Sequence, residues 1–313
     1  MTLLTIVQDA CAELSLQIPN TVIGNTDPQV VQLLALANRE GMEFAANSGN
    51  WSGWPEIRKE YTFNLVPATG GVNGVYTGDT TNGSNTITNI ADTTGILGGG
   101  IYGVSGGSIL TGSLVESVTP TTVTLNCPAN STATGQQFSF GKVAYDLPDD
   151  IQMFISATHW DRNFRWQLLG PISAQEWQTI VSGICPVGPR IRFRVMDGQM
   201  WLQPPPGVNQ TDLIAYEYIS VNWCKSASGT PQPRWAADTD TYYWPENTAV
   251  LGLKWRFLRA KGLDFTDELI QYERAVDRQM ARSGGNRAIP LNATANGIHL
   301  LNNSNCPDTG FGS

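Results

Sequence analysis

Between Thr69 and Phe140 the chain gives up almost all of its charge, and this change limits what it can fold into more than any other feature. Only Asp79, Asp92 and Glu116 interrupt a stretch dominated by Gly, Thr, Ser and Asn. Short alternating runs, Thr86-Ile87-Thr88-Asn89-Ile90 and Thr122-Val123-Thr124-Leu125, stand between Gly- and Asn-containing turns. Alternation with period two and closely spaced turn residues predicts a small all-β module of short strands. The flanks, Glu60-Tyr61-Thr62-Phe63 and Val143-Ala144-Tyr145-Asp146-Leu147-Pro148, read as strand ends of one domain, so the module reads as an insertion into it. The expected division is a core of residues 1–68 and 141–285, an inserted β-rich module at 69–140, and an extended tail at 286–313.

The core sequence is helical at both ends. A first helix is expected over Leu3 to Leu16, stopping before Pro19. A second has Thr26 or Asp27 as N-cap and Pro28 at its first position, followed by Val30, Leu34, Ala37, Gly41 and Phe44 at helical spacing. Gly41 within that stripe points to a close helix–helix approach. Near the other end, a helix beginning at Pro245 and Glu246 carries two apolar stripes, Leu251, Trp255 and Leu258 against Val250, Leu253 and Phe257. Arg256 and Arg259 fall on the narrow polar edge between them. A helix apolar on two faces needs two covers, and the second is expected to be a neighbouring molecule. A last helix is capped by Asp264 or Thr266, bears Asp267 and Glu268 early and Arg278 and Arg282 late, and stops at Gly284-Gly285. Its stripe is Leu269, Tyr272, Val276 and Met280. The expected fold class is therefore α+β: a helical bundle with a small antiparallel β region, the inserted module and the tail.

Eight of the ten tryptophans lie between Trp160 and Trp255, which marks where a packed core and a partner surface should be sought. In the same region Arg190, Arg192 and Arg194 alternate with Ile191, Phe193 and Val195, so a strand would place the three guanidinium groups on one face. Asp197-Gly198 supplies a type I′ turn and Met200-Trp201-Leu202 the return strand. The arginine face is either solvated or a docking surface for an acidic neighbour. Leu213 to Ile219 reads as another strand, and Pro204-Pro205-Pro206 interrupts the ladder before it.

Charge and cysteines narrow the function. A net charge of −8 and a pI of about 4.8 give no electrostatic surplus for holding a phosphate backbone, although an acidic surface suits DNA that passes without sticking. Cys11, Cys127, Cys185, Cys224 and Cys306 are scattered and contain no C-x-x-C, against a zinc site or a disulfide framework. The start has no basic region before its apolar residues, no run reaches the ~20 residues of a membrane helix, and a cytoplasmic origin is expected.

Several strings imitate catalytic motifs. Gly103-Val104-Ser105-Gly106-Gly107 fits G-x-S-x-G, but a nucleophile elbow needs a following helix, and Gly-rich β sequence follows here. Gly98, Gly100 and Gly103 match a dinucleotide fingerprint by letter alone. His159 and His299 are the only histidines, and His159 beside Trp160 reads as a packed residue. The acid pairs Asp149-Asp150 and Asp238-Asp240 read as turn residues that bond their own backbone. No catalytic residue, metal ligand or cofactor is expected.

Five stretches carry a family resemblance: Leu34-Ala35-Leu36-Ala37-Asn38-Arg39-Glu40-Gly41, Tyr145-Asp146-Leu147-Pro148-Asp149-Asp150, Gly170-Pro171-Ile172-Ser173-Ala174-Gln175-Glu176-Trp177, Tyr216-Glu217-Tyr218-Ile219-Ser220 and Leu251-Gly252-Leu253-Lys254-Trp255-Arg256-Phe257. They resemble the head-to-tail adaptor proteins of tailed bacteriophages, especially the tail accessory or DNA-stabilisation factors of short-tailed phages. The likeness covers residues 1–66 and 143–283, while the β insertion departs from it. It implies a structural virion protein at the head–tail junction, assembled in the host cytoplasm. Such a protein forms a ring of about twelve copies under the portal, extends the DNA channel with transient contact to the genome, helps retain packaged DNA and seats a tail or nozzle protein. Interface candidates are Arg190, Arg192, Arg194, Trp255, Arg256, Arg259, Ile298, Leu300, Leu301 and Phe311, the last four as scattered anchors of a tail too polar to fold alone. Two rival readings are a virion-associated glycan or peptidoglycan hydrolase using Asp149 or Asp150, and an adhesin that binds glycans through the β insertion.

Overall fold

Asp27 starts the second helix as the sequence predicts: its carboxylate accepts the Gln29 amide hydrogen at 2.8 Å, and Pro28 occupies the first turn. In the computed structural model, which describes residues 2–46, 53–182 and 190–284, the helices are α1 (Leu3–Glu13), α2 (Pro28–Ala46), α3 (Ala174–Val181), α4 (Glu246–Lys261) and α5 (Thr266–Gly284). The strands are β1 (Arg58–Asn64), β2 (Tyr76–Thr80), β3 (Thr86–Ile87), β4 (Tyr102–Ser105), β5 (Val115–Val118), β6 (Val123–Leu125), β7 (Ala133–Lys142), β8 (Ala144–Asp146) and β9 (Ile151–Phe154). They continue with β10 (Trp160–Asp161), β11 (Trp166–Gln167), β12 (Arg192–Met196), β13 (Gln199–Gln203), β14 (Leu213–Ser220), β15 (Cys224–Lys225), β16 (Pro231–Gln232) and β17 (Thr241–Tyr242). The architecture of the described residues is α+β, five α-helices with several small antiparallel sheets.

Three hydrophobic clusters organise the chain. The first joins α1, α2, α4 and α5 around Leu3, Leu33, Phe44, Leu253 and Val276, with Trp54, Trp223, Trp235 and Trp244 wedged among them. Trp54 stacks on Phe44 at 4.8 Å and donates its indole N–H to the Phe44 carbonyl at 2.8 Å, so its polar atom stays satisfied in a buried site. The second cluster, with Tyr76, Val104, Val123, Phe138 and Phe140, fills the space between the sheets β2-β7-β4 and β3-β6-β5. The third, with Tyr145, Phe193, Leu202 and Tyr216, lies between β12-β13-β8 and the sheet in which β14 pairs with β1, β9 and β10.

The Asp197-Gly198 turn forms as expected, with φ of 53° and 69° and Met196 facing Gln199. Two expectations need correction. The first helix stops at Glu13, short of Leu16. The closest approach at Gly41 is not to a helix: a Cβ there would lie 2.3 Å from the ring of Trp223, so the missing side chain admits an indole from a loop. The close helix contact is at Gly252 of α4, where a Cβ would lie 2.2 Å from the Glu40 carboxyl of α2.

Candidate functional site

Glu40 and Arg256 come from helices far apart in sequence and meet in the interior. Arg256 ion-pairs with Glu40 and holds Glu43 at 2.7 Å, while its side chain is only 5% exposed. Its guanidinium lies 4.4 Å from the Trp255 ring centroid and 5.7 Å from that of Tyr272, so aromatic faces shield the charge. Burial pushes the Glu40 carboxyl up to about 7 against the lowering pull of Arg256. A paired buried charge of this kind tolerates no loss of its partner. Above it, Glu43, Trp255, Glu273 and Asp277 line a groove of about 750 Å³ between α2, α4 and α5.

This geometry corrects the reading of α4. Arg256 does not lie on an exposed polar edge; Arg259 does. Most of both apolar stripes is covered within the chain, with Trp255 and Leu258 left half-buried. Val250, Leu253 and Phe257 join the core with α1 and α2, while Trp255 packs against Phe265 and Tyr272 at 6.3 and 6.0 Å. The apolarity of α4 is therefore met largely within the chain, and its half-buried Trp255 lines the groove.

The catalytic look-alikes are occupied by structural work. Asp150 accepts hydrogen bonds from Lys59 at 2.6 Å, Tyr218 at 2.8 Å, Ser220 at 2.6 Å and Asn222 at 3.2 Å, knotting β1 and β14 to the turn before β9. Desolvation raises its pKa, but the bonds from Lys59, Ser220 and Tyr218 outweigh it and hold the carboxyl below its usual range. Asp238 accepts the amides of Val22 and Ile23, and Asp240 those of Ala236 and Ala237. Ser105 ends β4 and leads into Gly106 and Gly107 with positive φ, with no helix after it. His159 is sandwiched, 4.3 Å from Phe193 and 5.1 Å from Tyr216, and burial drives its pKa down to about 4.

The arginine face forms in part. Arg192 and Arg194 stand half-buried on β12, opposite Gln203 and Trp201, and Arg190 is exposed just before the strand. None of the three has an ion-pair partner among the described residues. The anchors Ile298, Leu300, Leu301 and Phe311, with His299 and the tail of 286–313, lie outside the described residues.

Sequence reasoning missed the hairpin of β10 and β11, which projects Phe164 and Trp166 into solvent beside Asp161 and Asp212. Its signal was the alternation of aromatic residues with Arg162 and Arg165, but the turn lacks glycine and uses Arg165 at φ 59° instead. Among the described residues no group of His, Cys, Asp and Glu is placed to hold a metal ion, and no helix is long and apolar enough to cross a membrane. No protein-family model matches the chain, and no curated protein matches it either.

Proposed function

We propose that this chain is a structural protein of a tailed-phage particle, a head-to-tail connector adaptor without catalytic activity. It forms a ring of about twelve copies beneath the portal, extends the DNA channel, helps retain the packaged genome and seats the downstream tail or nozzle protein. In this reading residues 1–68 and 141–285 are the ring-forming core with its helical bundle, 69–140 an inserted module and 286–313 a tail that gains order on a neighbour.

One observation carries the reading. Four of the five stretches that resemble the adaptor family, distant in sequence, meet in pairs, one pair at a buried contact and the other at a half-buried one. Residues 34–41 meet 251–257 at Glu40 and Arg256, and residues 145–150 meet 216–220 at Asp150, Tyr218 and Ser220. That is the behaviour of a shared framework rather than of a catalytic constellation, and it supports structural kinship over the hydrolase alternative. The acidic balance suits a channel wall, and the arginines of β12, without ion-pair partners among the described residues, suit an acidic neighbour.

The test is co-sedimentation of the full chain with purified portal rings. Binding is expected. It is expected to weaken with Arg192→Ser combined with Arg194→Ser, and on truncation after Gly285, with unchanged melting in both cases. Intact protein that ignores portal rings contradicts the reading.

A further inference from the structure

Two large aromatic side chains leave the core on the β10–β11 hairpin, Phe164 at 55% and Trp166 at 40% exposure. Their ring centroids lie 5.7 Å apart with an interplanar angle of 29°, so the two rings stack into one exposed apolar unit. The turn that presents them is held by Asp161, whose Oδ1 accepts the amides of Asn163 at 2.9 Å and Phe164 at 3.0 Å. Asp161 is only 4% exposed, and its Oδ2 has no protein donor among the described residues. Asp212 is 7% exposed; its Oδ2 accepts from Gln210 at 2.8 Å and its Oδ1 from no described donor. Gln210 is itself fixed, because its Oε1 accepts the Gly207 amide at 2.9 Å. The two rings, the two carboxylates and the amides of Asn209 and Gln210 line one cavity of about 480 Å³, within the ~300–1,000 Å³ usual for small-ligand sites.

We propose that this cavity binds a neutral pyranose unit of a glycan, a site that rests neither on the ring assembly proposed above nor on the β segment. The lining selects the ligand chemistry. A purely apolar guest would bury the free oxygens of Asp161 and Asp212 without donors. An anion would meet those carboxylates with no cationic side chain in the lining to offset them. A cation would satisfy the carboxylates but make no use of the second amide hydrogens of Asn209 and Gln210, whose first hydrogens go to the Asn73 carbonyl and to Asp212. Hydroxyl groups both donate and accept, so a polyol engages the carboxylates and the amides together. The C–H face of a sugar ring then covers Trp166 and Phe164, which removes apolar surface from water.

The test titrates the full chain separately with cellohexaose, maltohexaose and chitohexaose, followed by saturation-transfer NMR and calorimetry, with tetramethylammonium chloride as a cationic control. At least one hexasaccharide is expected to bind saturably, with transfer concentrated on its ring C–H protons. Trp166→Ala should weaken that binding about tenfold or more at an unchanged melting temperature. Asp212→Asn should weaken it as well, and provides a second reading if Trp166→Ala disturbs the hairpin. The proposal is overturned if none of the three sugars binds, if tetramethylammonium alone binds, or if both variants bind sugar as the parent does. It is equally overturned if Trp166→Ala changes only the sedimentation coefficient, which assigns the aromatic pair to a contact between protein chains.

Discussion

The core around α2 and α4 is built from tryptophans and a buried ion pair, whereas the core between the sheets β2-β7-β4 and β3-β6-β5 contains neither. Trp54, Trp223, Trp235 and Trp244 pack in the first, with Glu40 and Arg256 paired and buried under the groove between α2, α4 and α5. The second relies on Tyr76, Tyr102, Phe138 and Phe140 and on short polar bonds at its margin, such as Ser108 to Gln136 at 2.9 Å and Asn89 to Asp79 at 2.6 Å. No ion pair forms within 76–142 among the described residues. A core with a buried charge pair fails when one partner is lost, while a core of small strands loses stability in proportion to the apolar volume removed. The two regions should therefore respond to different perturbations.

The largest expected effect is at the ion pair. Arg256→Ala leaves Glu40 buried and uncompensated, which should cost about 3–5 kcal/mol in urea unfolding followed by tryptophan fluorescence. A loss below about 1 kcal/mol, the worth of an exposed pair, would place that charge outside the core. In the β segment Ile87→Ala should cost about 2–5 kcal/mol. All ten tryptophans lie outside 69–140, so if the cores are separate this loss should appear in tyrosine emission and near-ultraviolet circular dichroism and leave the tryptophan midpoint in place.

Local signals made much of this fold legible. Asp27 with Pro28, Asp264 before α5 and the Asp197-Gly198 turn act through neighbours in sequence, and each structure forms where its chemistry predicts. Arg256 was misplaced because a helical wheel records only that it stands between two apolar stripes. Its partner Glu40 is 216 residues away, and nothing local announces that a charge will be buried. The Phe164 and Trp166 hairpin escaped for the complementary reason. Its turn is set by a left-handed arginine and an aspartate cap, a combination without the glycine that usually marks such a reversal.

A smaller effect is expected at Gly41, where a Cβ would collide with Trp223 at 2.3 Å. Gly41→Ala should cost about 1–3 kcal/mol and shift the tryptophan emission maximum as the indole moves. Spread over a pH window rather than concentrated in one variant is the response of His159. Its folded pKa of about 4 lies below the 6.5 of an ordinary histidine, so its contribution is complete above 6.5 and is lost as pH falls towards 4. The slope should be about 1.4 kcal/mol per pH unit across that window. His159→Phe, measured by denaturation at several pH values, should flatten it.

The separation of the two cores is tested most directly by replacing residues 69–140 with a short Gly/Ser linker and following tryptophan fluorescence during thermal unfolding. Separate cores predict one cooperative transition within a few degrees of that of the intact chain, because every tryptophan and the Glu40–Arg256 pair remain in place. A broad, non-cooperative loss of signal would contradict this and make the β segment part of the core that it flanks.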